Sequence, residues 1–237
     1  MEIKVLASGS SGNCSYINDG KTSLLLDAGI PVAKIRIGTD FRLGAVSGVL
    51  ITHRHGDHAK SVPHLLHIGL NVYAHDDVFS ATVPDNPYNA RVICFDGDSP
   101  LPFTIGTFSV TPFAVHHDVP NFGFYIHSTA TGENLVYFTD TFYLTHTFPA
   151  LNYLLAECNY DPDALDRNIA DDRLEPEFKK RLVRSHMSID TLLEMLKAND
   201  LSHMKQIYLM HLSDNNSRAE EFRRRVQAVA GCEVYLC

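Results

Sequence analysis

Six residues, His53-Arg54-His55-Gly56-Asp57-His58, constrain this chain more than any other stretch of its sequence. They follow an apolar segment, Gly48 to Thr52, that reads as a strand, so four side chains able to hold a metal arrive together at one strand end. In extended chain His53 and His55 project to the same side and can share one cation. Asp57 and His58 follow the turn at Gly56, where they can serve a second cation beside the first. Neutral imidazole and carboxylate suit zinc, manganese or iron alike.

The rest of the composition bounds the setting of that motif. A chain of 237 residues, 45% hydrophobic and 20% charged, buries a substantial core as one large domain or two small ones. Thirteen histidines are many for this length, and a metal site accounts for part of them. The formal charge of −8 argues against a basic surface for non-specific nucleic-acid binding, but leaves room for a local basic patch. Five scattered cysteines (Cys14, Cys94, Cys158, Cys232, Cys237) form no CxxC pair, which speaks against a disulfide framework or a thiolate zinc knuckle. No apolar run approaches the roughly 20 residues of a membrane span, and the N-terminus lacks the pattern of a signal peptide. The expectation is a cytoplasmic protein with no membrane association.

Short strands joined by glycine turns are predicted through the first third: Ile3 to Ala7, Ser15 to Ile17 and Leu24 to Leu26, before the strand that delivers the motif. Val62 to Ile68 reads as helix and Asn71 to Ala74 as strand. Phe103 to Val115 reads as a hairpin turning near Gly106. Phe122 to Ile126, Leu135 to Thr139 and Tyr153 to Ala156 are further strands. Leu174 to Val183 and Ser188 to Ala198 are predicted helices, the second capped by Ser188. Gln206 to Met210, the helix Ser217 to Ala230 and the strand Glu233 to Leu236 close the chain. No linker or repeat divides it, which favours a single α/β domain over residues 1–237 with mixed sheets.

The His-x-His-x-Asp-His motif resembles the signature of the metallo-β-lactamase superfamily, and further landmarks follow in order. Asp27, ending Leu24-Leu25-Leu26-Asp27-Ala28-Gly29, is similar to the family aspartate that supports the metal ligands. His116-His117 at the end of Thr111 to Val115, Asp140 in Phe138-Thr139-Asp140-Thr141, and His211 in Leu209-Met210-His211-Leu212-Ser213 match its remaining ligand positions. The stretch His117 to Phe124 resembles "H-x-V-P-x-x-G-Y" of ribonuclease Z-like members, which selects His117 over His116. The resemblance implies a four-layer αββα sandwich with two mixed β-sheets and two divalent metal ions, zinc foremost. His53, His55 and His117 would hold one ion, and Asp57, His58 and His211 the other, with Asp140 between them.

Several segments resemble the YycJ/WalJ-like exonuclease branch of that family. Ala7 to Asn13 is similar to its "SGSxGN" loop, and Glu157-Cys158-Asn159-Tyr160-Asp161 to "E-x-N-H-D". Ser185-His186-Met187-Ser188 is similar to "GHLS", and His211 to Asn216 to "HLSxxNN". Tyr160 and Ser185 depart from the branch, which has histidine and glycine there. On this resemblance the chain is a phosphodiesterase or exonuclease acting on nucleic acid. Asp57, Asp27 and His186 are its catalytic candidates, His186 as donor to a phosphate oxygen or leaving alkoxide. Asn159 and the loop residues Ser10, Ser11 and Asn13 are the substrate-binding candidates. That loop can cradle a terminal phosphate with its N–H groups, or can be a tight turn stabilised by Asn13. Lys179-Lys180-Arg181 with Arg184 is the better candidate for a basic rim, and Arg223-Arg224-Arg225 reads as a solvated helix face. The rival functions are a small-molecule hydrolase of a lactone, thioester or cyclic phosphodiester, and a non-catalytic metal-stabilised protein.

Overall fold

Runs of leucine, isoleucine and valine between glycine and aspartate turns become short buried strands in the computed structural model, which describes residues 1–82, 87–213 and 216–237. Asp214 and Asn215, within the "HLSxxNN" stretch, lie outside the described residues. The chain divides into two compact units: Met1–Ala114 with Val119–Glu133, and Val115–Asp118 with Asn134–Cys237.

In the first unit β1 (Glu2–Ala7), β2 (Cys14–Asn18), β3 (Ser23–Leu26), β4 (Gly48–Leu50), β5 (Val72–Ala74) and β6 (Ala90–Val92) form a sheet in that order. β1 to β3 run antiparallel, whereas β3 to β6 are parallel. Parallel neighbours need crossovers. α1 (Val32–Gly38) lies between β3 and β4, α2 (Gly56–Ala59) and α3 (Val62–His67) between β4 and β5, and α4 (Asp76–Thr82) between β5 and β6. Leu25, Val49, Ile51, Val62, Leu65, Leu66 and Val72 are fully buried in one core cluster, so β3 and β4 are fixed beneath their C-terminal ends. A small hairpin, β7 (Phe95–Asp96) and β8 (Ser99–Pro100), precedes β9 (Phe103–Ile105), β10 (Phe108–Val115) and β11 (Asn121–Ser128). β9 and β10 are the expected hairpin. Gly106 turns it at φ +57, where a Cβ would also meet Thr22 Oγ1 at 2.3 Å.

Asp19 ties that hairpin to the turn before β3. Its carboxylate accepts from Thr107 Oγ1 at 2.6 Å, Ser128 Oγ at 2.7 Å and the N–H groups of Lys21 and Thr22. Burial by itself would raise its pKa; these donors outweigh it and bring the value down to about 2.

The second unit holds β12 (Asn134–Phe138), β13 (Tyr153–Glu157), β14 (Gln206–Met210) and β15 (Glu233–Leu236), neighbours in that order and all parallel. Every residue of β12 and β13 is buried, as strands covered on both faces require. α5 (Pro162–Ala170), α6 (Pro176–Ser185) and α7 (Ile189–Lys197) lie between β13 and β14, and α8 (Ala219–Ala230) before β15. Asp161 caps α5 by accepting from Asp163 and Ala164, and Ser188 caps α7 through the Thr191 N–H at 3.1 Å. Gly231 ends α8 in the left-handed region. Both units are thus α/β, as the sequence predicts, although α1, α4 and α5 are helices the apolar pattern did not indicate. Among the described residues no helix is long and apolar enough to cross a membrane.

Candidate metal centre

Parallel strands deliver side chains at their carboxyl ends, and each unit uses this arrangement. In the first unit β3 ends at Asp27 and β4 leads into Thr52 and the motif. Asp27 is fully buried. Its Oδ1 accepts the Thr52 N–H at 2.8 Å and lies 3.0 Å from the Thr52 hydroxyl. Its Oδ2 lies 2.7 Å from His58 Nδ1. The hydroxyl proton belongs on the carboxylate, the stronger acceptor. Thr52 Oγ1 is then an acceptor for His53 Nδ1, 3.0 Å away. Both imidazoles are therefore assigned a proton on Nδ1 and a lone pair on Nε2. That tautomer suits ligation through Nε2, with the Asp27 carboxylate directly behind His58 and behind His53 through Thr52. The donor set fits a divalent cation on this ground. His53 Nε2 is 3.1 Å from His55 Nδ1, and His58 Nε2 is 3.4 Å from Asp57 Oδ2, so the four motif side chains converge.

Backbone packing explains the glycine after Asp27-Ala28. A Cβ on Gly29 would stand 1.6 Å from the Asp57 carbonyl oxygen. The two segments are stitched through Asn13: its N–H donates to Asp57 O at 2.7 Å, and its carbonyl accepts from Gly29 N–H at 2.9 Å. Asn13, 1% exposed, exchanges bonds with the Gly9 backbone and places Nδ2 3.0 Å from His58 Nε2. It therefore supports the loop and the motif from inside. Ser10 and Ser11 lie exposed at the loop tip.

In the second unit Asp140, Glu157, His186 and His211 bring a ligand atom each to within 4.8 Å of one another. β12, β13 and β14 supply Asp140, Glu157 and His211, while His186 follows directly on α6. Glu157 is fully buried at the centre of the group. Its Oε1 lies 2.5 Å from His186 Nδ1 and 3.3 Å from His211 Nδ1, and its Oε2 accepts from the Thr141 and Met187 N–H groups. Burial would push this carboxyl up, but the two histidines, His186 foremost, hold it below the usual glutamate range. Burial would likewise push His211 down, and the Asp140 and Glu157 carboxylates raise it instead. The His186 and His211 rings stack with centroids 5.3 Å apart. Asn159, 5% exposed, donates to His211 O at 2.8 Å and places the same amide nitrogen 3.1 Å from His211 Nδ1. Its amide is thus committed to a histidine rather than presented at the surface.

His117 and His116 part company as their alternation demands. The His117 side chain is 5% exposed, with Nε2 3.0 Å from Asp118 Oδ1. His116 is exposed and rests its ring on Phe142, 5.4 Å between centroids. Three site residues at strand ends, Asp27, Asp140 and His211, adopt left-handed φ values of 59°, 52° and 55°. Asp and His tolerate that region better than bulkier residues, and such strain gathers at functional sites.

Two cations of each basic run are ion-paired. Lys179 pairs with Asp166, and Lys180 with Glu177 at 2.7 Å. Arg223 pairs with Glu220 and Arg225 with Asp190, which makes the last helix a solvated, ion-paired face.

Glu157, in the stretch Glu157-Cys158-Asn159-Tyr160-Asp161, is a site residue that sequence pattern alone does not mark. Its signal was faint: a glutamate closing a run of apolar strand residues, where burial demands partners.

Residues 22–212 match the family model described as a beta-lactamase superfamily domain. The chain is 28% identical to exodeoxyribonuclease YycJ of Bacillus anthracis, over 97% of its own length and 89% of that protein. It is 29% identical to exodeoxyribonuclease WalJ of Streptococcus pneumoniae serotype 2, strain D39, over 92% of its own length and 84% of that protein. Among solved structures it is similar to the metallo-β-lactamase fold protein YhfI from Bacillus subtilis, with a TM-score of 0.75 at 20% identity, covering 99% of this chain and 95% of that one.

Proposed function

Because the chain belongs to the beta-lactamase superfamily and has the metallo-β-lactamase fold of metal-dependent hydrolases, we propose that it is an exonuclease hydrolysing phosphodiester bonds in DNA. The observation that carries this reading is the His186–Glu157 pair beside Asp140 and His211. A phosphodiester leaves as an alkoxide and needs a proton donor next to the cation site. Likeness over nearly the whole length to two exodeoxyribonucleases supports the nucleic-acid substrate.

His53, His55 and His117 would hold one divalent ion and Asp57, His58 and His211 another, zinc foremost, with Asp140 as a further ligand and all 237 residues acting as one domain. When bound, such ions lower the pKa of a water toward neutrality and offset charge developing on phosphorus. The chain's own groups do the rest. Asp27 and Thr52 keep His53 and His58 protonated at Nδ1, so their Nε2 lone pairs stay forward. Asn159 orients His211. Glu157 accepts the hydrogen bond from His186 Nδ1–H and stabilises its imidazolium, whose Nε2 proton passes to the leaving sugar oxygen as the P–O bond breaks. Hydroxide supplies the new P–O bond.

The test is turnover of bis-(p-nitrophenyl) phosphate, end-labelled single- and double-stranded DNA, RNA and a lactone panel by metal-loaded protein. We expect DNA shortened from an end, and no such activity in Asp57→Ala. DNA digestion at the parental rate in that variant would assign it to a contaminant. The formal charge of −8 favours a small-molecule hydrolase as the second reading, which lactone turnover without DNA cleavage would establish.

A further inference from the structure

Phe41 is 79% exposed and Ile37, one helical turn before it, 63%. Neither is loosely placed. α1 closes with Asp40 N–H donating to Ile37 O at 3.0 Å and Phe41 N–H to Arg36 O at 2.7 Å, the bonding of a Schellman cap. Two features depart from an ordinary cap. Glycine usually takes the left-handed position, but here Asp40 (φ 51°) and Phe41 (φ 59°) adopt it in succession, a conformation L residues avoid. An apolar residue at the second position after the cap also ordinarily folds back on the helix; the Phe41 ring stands in solvent. Asp40 is anchored by Lys4 Nζ at 2.9 Å. The backbone therefore holds an aromatic ring outward at a conformational cost, and nothing within the described residues requires it there.

The charge around that ring is the reverse of the chain's. Lys34, Arg36 and Arg42 are all exposed, and none is in an ion pair among the described residues. Asp40 is paired with Lys4, which also lies 3.4 Å from Glu2, and its charge is felt by Arg42 as well. Three exposed cations outside any ion pair thus flank two exposed apolar side chains in sequence, on a chain whose formal charge is −8. A charged phosphate backbone bearing flat, stackable bases matches both properties, whereas a second copy of this acidic chain matches only the apolar one.

Resting on the exonuclease reading, we infer that the α1 cap is a docking platform for single-stranded DNA. Phe41 stacks a base, while Arg36 and Arg42 take adjoining phosphates. The platform lies in the same unit as the His53–His58 motif and is tied to it. α1 begins five residues after Asp27, and Ile30 O accepts from Ser61 Oγ at 2.6 Å, just beyond the motif. A seven-residue helix is only about 10 Å long, so the cap is a few nucleotides of strand from the motif.

The sequence contains no tryptophan, so Phe41→Trp introduces a single fluorescent reporter. Metal-loaded Phe41→Trp protein titrated with a nuclease-resistant phosphorothioate oligothymidylate should show saturable quenching. Phe41→Ala should raise Kd and KM for long single strands roughly 5- to 100-fold. Turnover of bis-(p-nitrophenyl) phosphate, which is too small to reach the platform, should not change. Arg36→Glu with Arg42→Glu should lower the salt slope of strand binding by about 1.4, two phosphate contacts' worth. Unquenched Phe41→Trp together with parental affinity in Phe41→Ala would overturn the platform and leave the exonuclease reading standing. A parent chain that turns over the small diester but neither binds nor cuts DNA would overturn both. Self-association abolished by Phe41→Ala, with strand binding unaffected, would make a second copy the occupant and also refute the inference.

Discussion

Gly29→Ala is the sharpest test of how the proposed ligands of the first unit are held. The added Cβ would sit 1.6 Å from the Asp57 carbonyl oxygen, 2.1 Å from its carbon and 2.8 Å from the His58 nitrogen. All three are backbone atoms, so no rotamer change relieves the clash, and the segments must separate by well over an ångström. That separation strains the Asn13–Asp57, Gly29–Asn13 and Ala28–His58 backbone bonds, at 2.7, 2.9 and 2.8 Å. Overpacking alone costs about 1–3 kcal/mol. Weakening such hydrogen bonds adds about 0.5–1.5 kcal/mol each. Since the terms overlap, the expected loss is roughly 3–5 kcal/mol, or about 6–20 °C in Tm for a chain of this size. Because Asp57 and His58 move with their backbone, metal retention should fall alongside Tm. Gly44→Ala is the control, as a Cβ there meets nothing within 4 Å. Thermal melts by circular dichroism and metal content after gel filtration read both effects. A Gly29→Ala protein melting with the parent and keeping its metal would refute the tight approach of these two loops.

Asp27→Asn should reduce metal affinity by roughly 10- to 100-fold without unfolding the chain, because the amide cannot accept from Thr52 and His58 as the carboxylate does; competition with a chelator measures it. Asp19→Ala should destabilise the first unit by about 1–2 kcal/mol, after allowing for solvent screening. Its folded pKa, about 2 against an ordinary 3.8, makes that contribution complete above about pH 5 and lost as pH falls towards 2. The parent's denaturant midpoint should therefore drop faster between pH 5 and pH 3 than the variant's, and parallel profiles would contradict this. His117→Ala should lose metal and turnover, whereas His116→Ala, whose ring lies exposed on Phe142, should keep both.

Residues whose chemistry depends on short spacing were legible, and those whose chemistry depends on distant strands were not. The His53–His58 motif could be read because one turn of backbone sets its geometry. Glu157 has no such local mark. Its role exists because β13 lies between β12 and β14, so that Asp140 and His211 arrive on either side of it. Asn13 and Asn159 show the same limit. Each is conspicuous beside a motif, yet what each reaches, a histidine from a buried position, is set by distant chain. The helices α1 and α4 leave little trace in the sequence for a related reason: at seven residues each they show barely two turns of periodicity, and packing decides what propensity leaves open. α5 opens with proline and holds a single fully buried side chain, Leu165, so its apolar stripe is almost absent. What unites the readable and unreadable parts is conformational cost. Asp27, Asp140 and His211 all leave their strands through left-handed backbone that their neighbours must enforce. Their residue types hint at ligation, but only the surrounding carboxylates, N–H groups and parallel strands make that conformation the stable one.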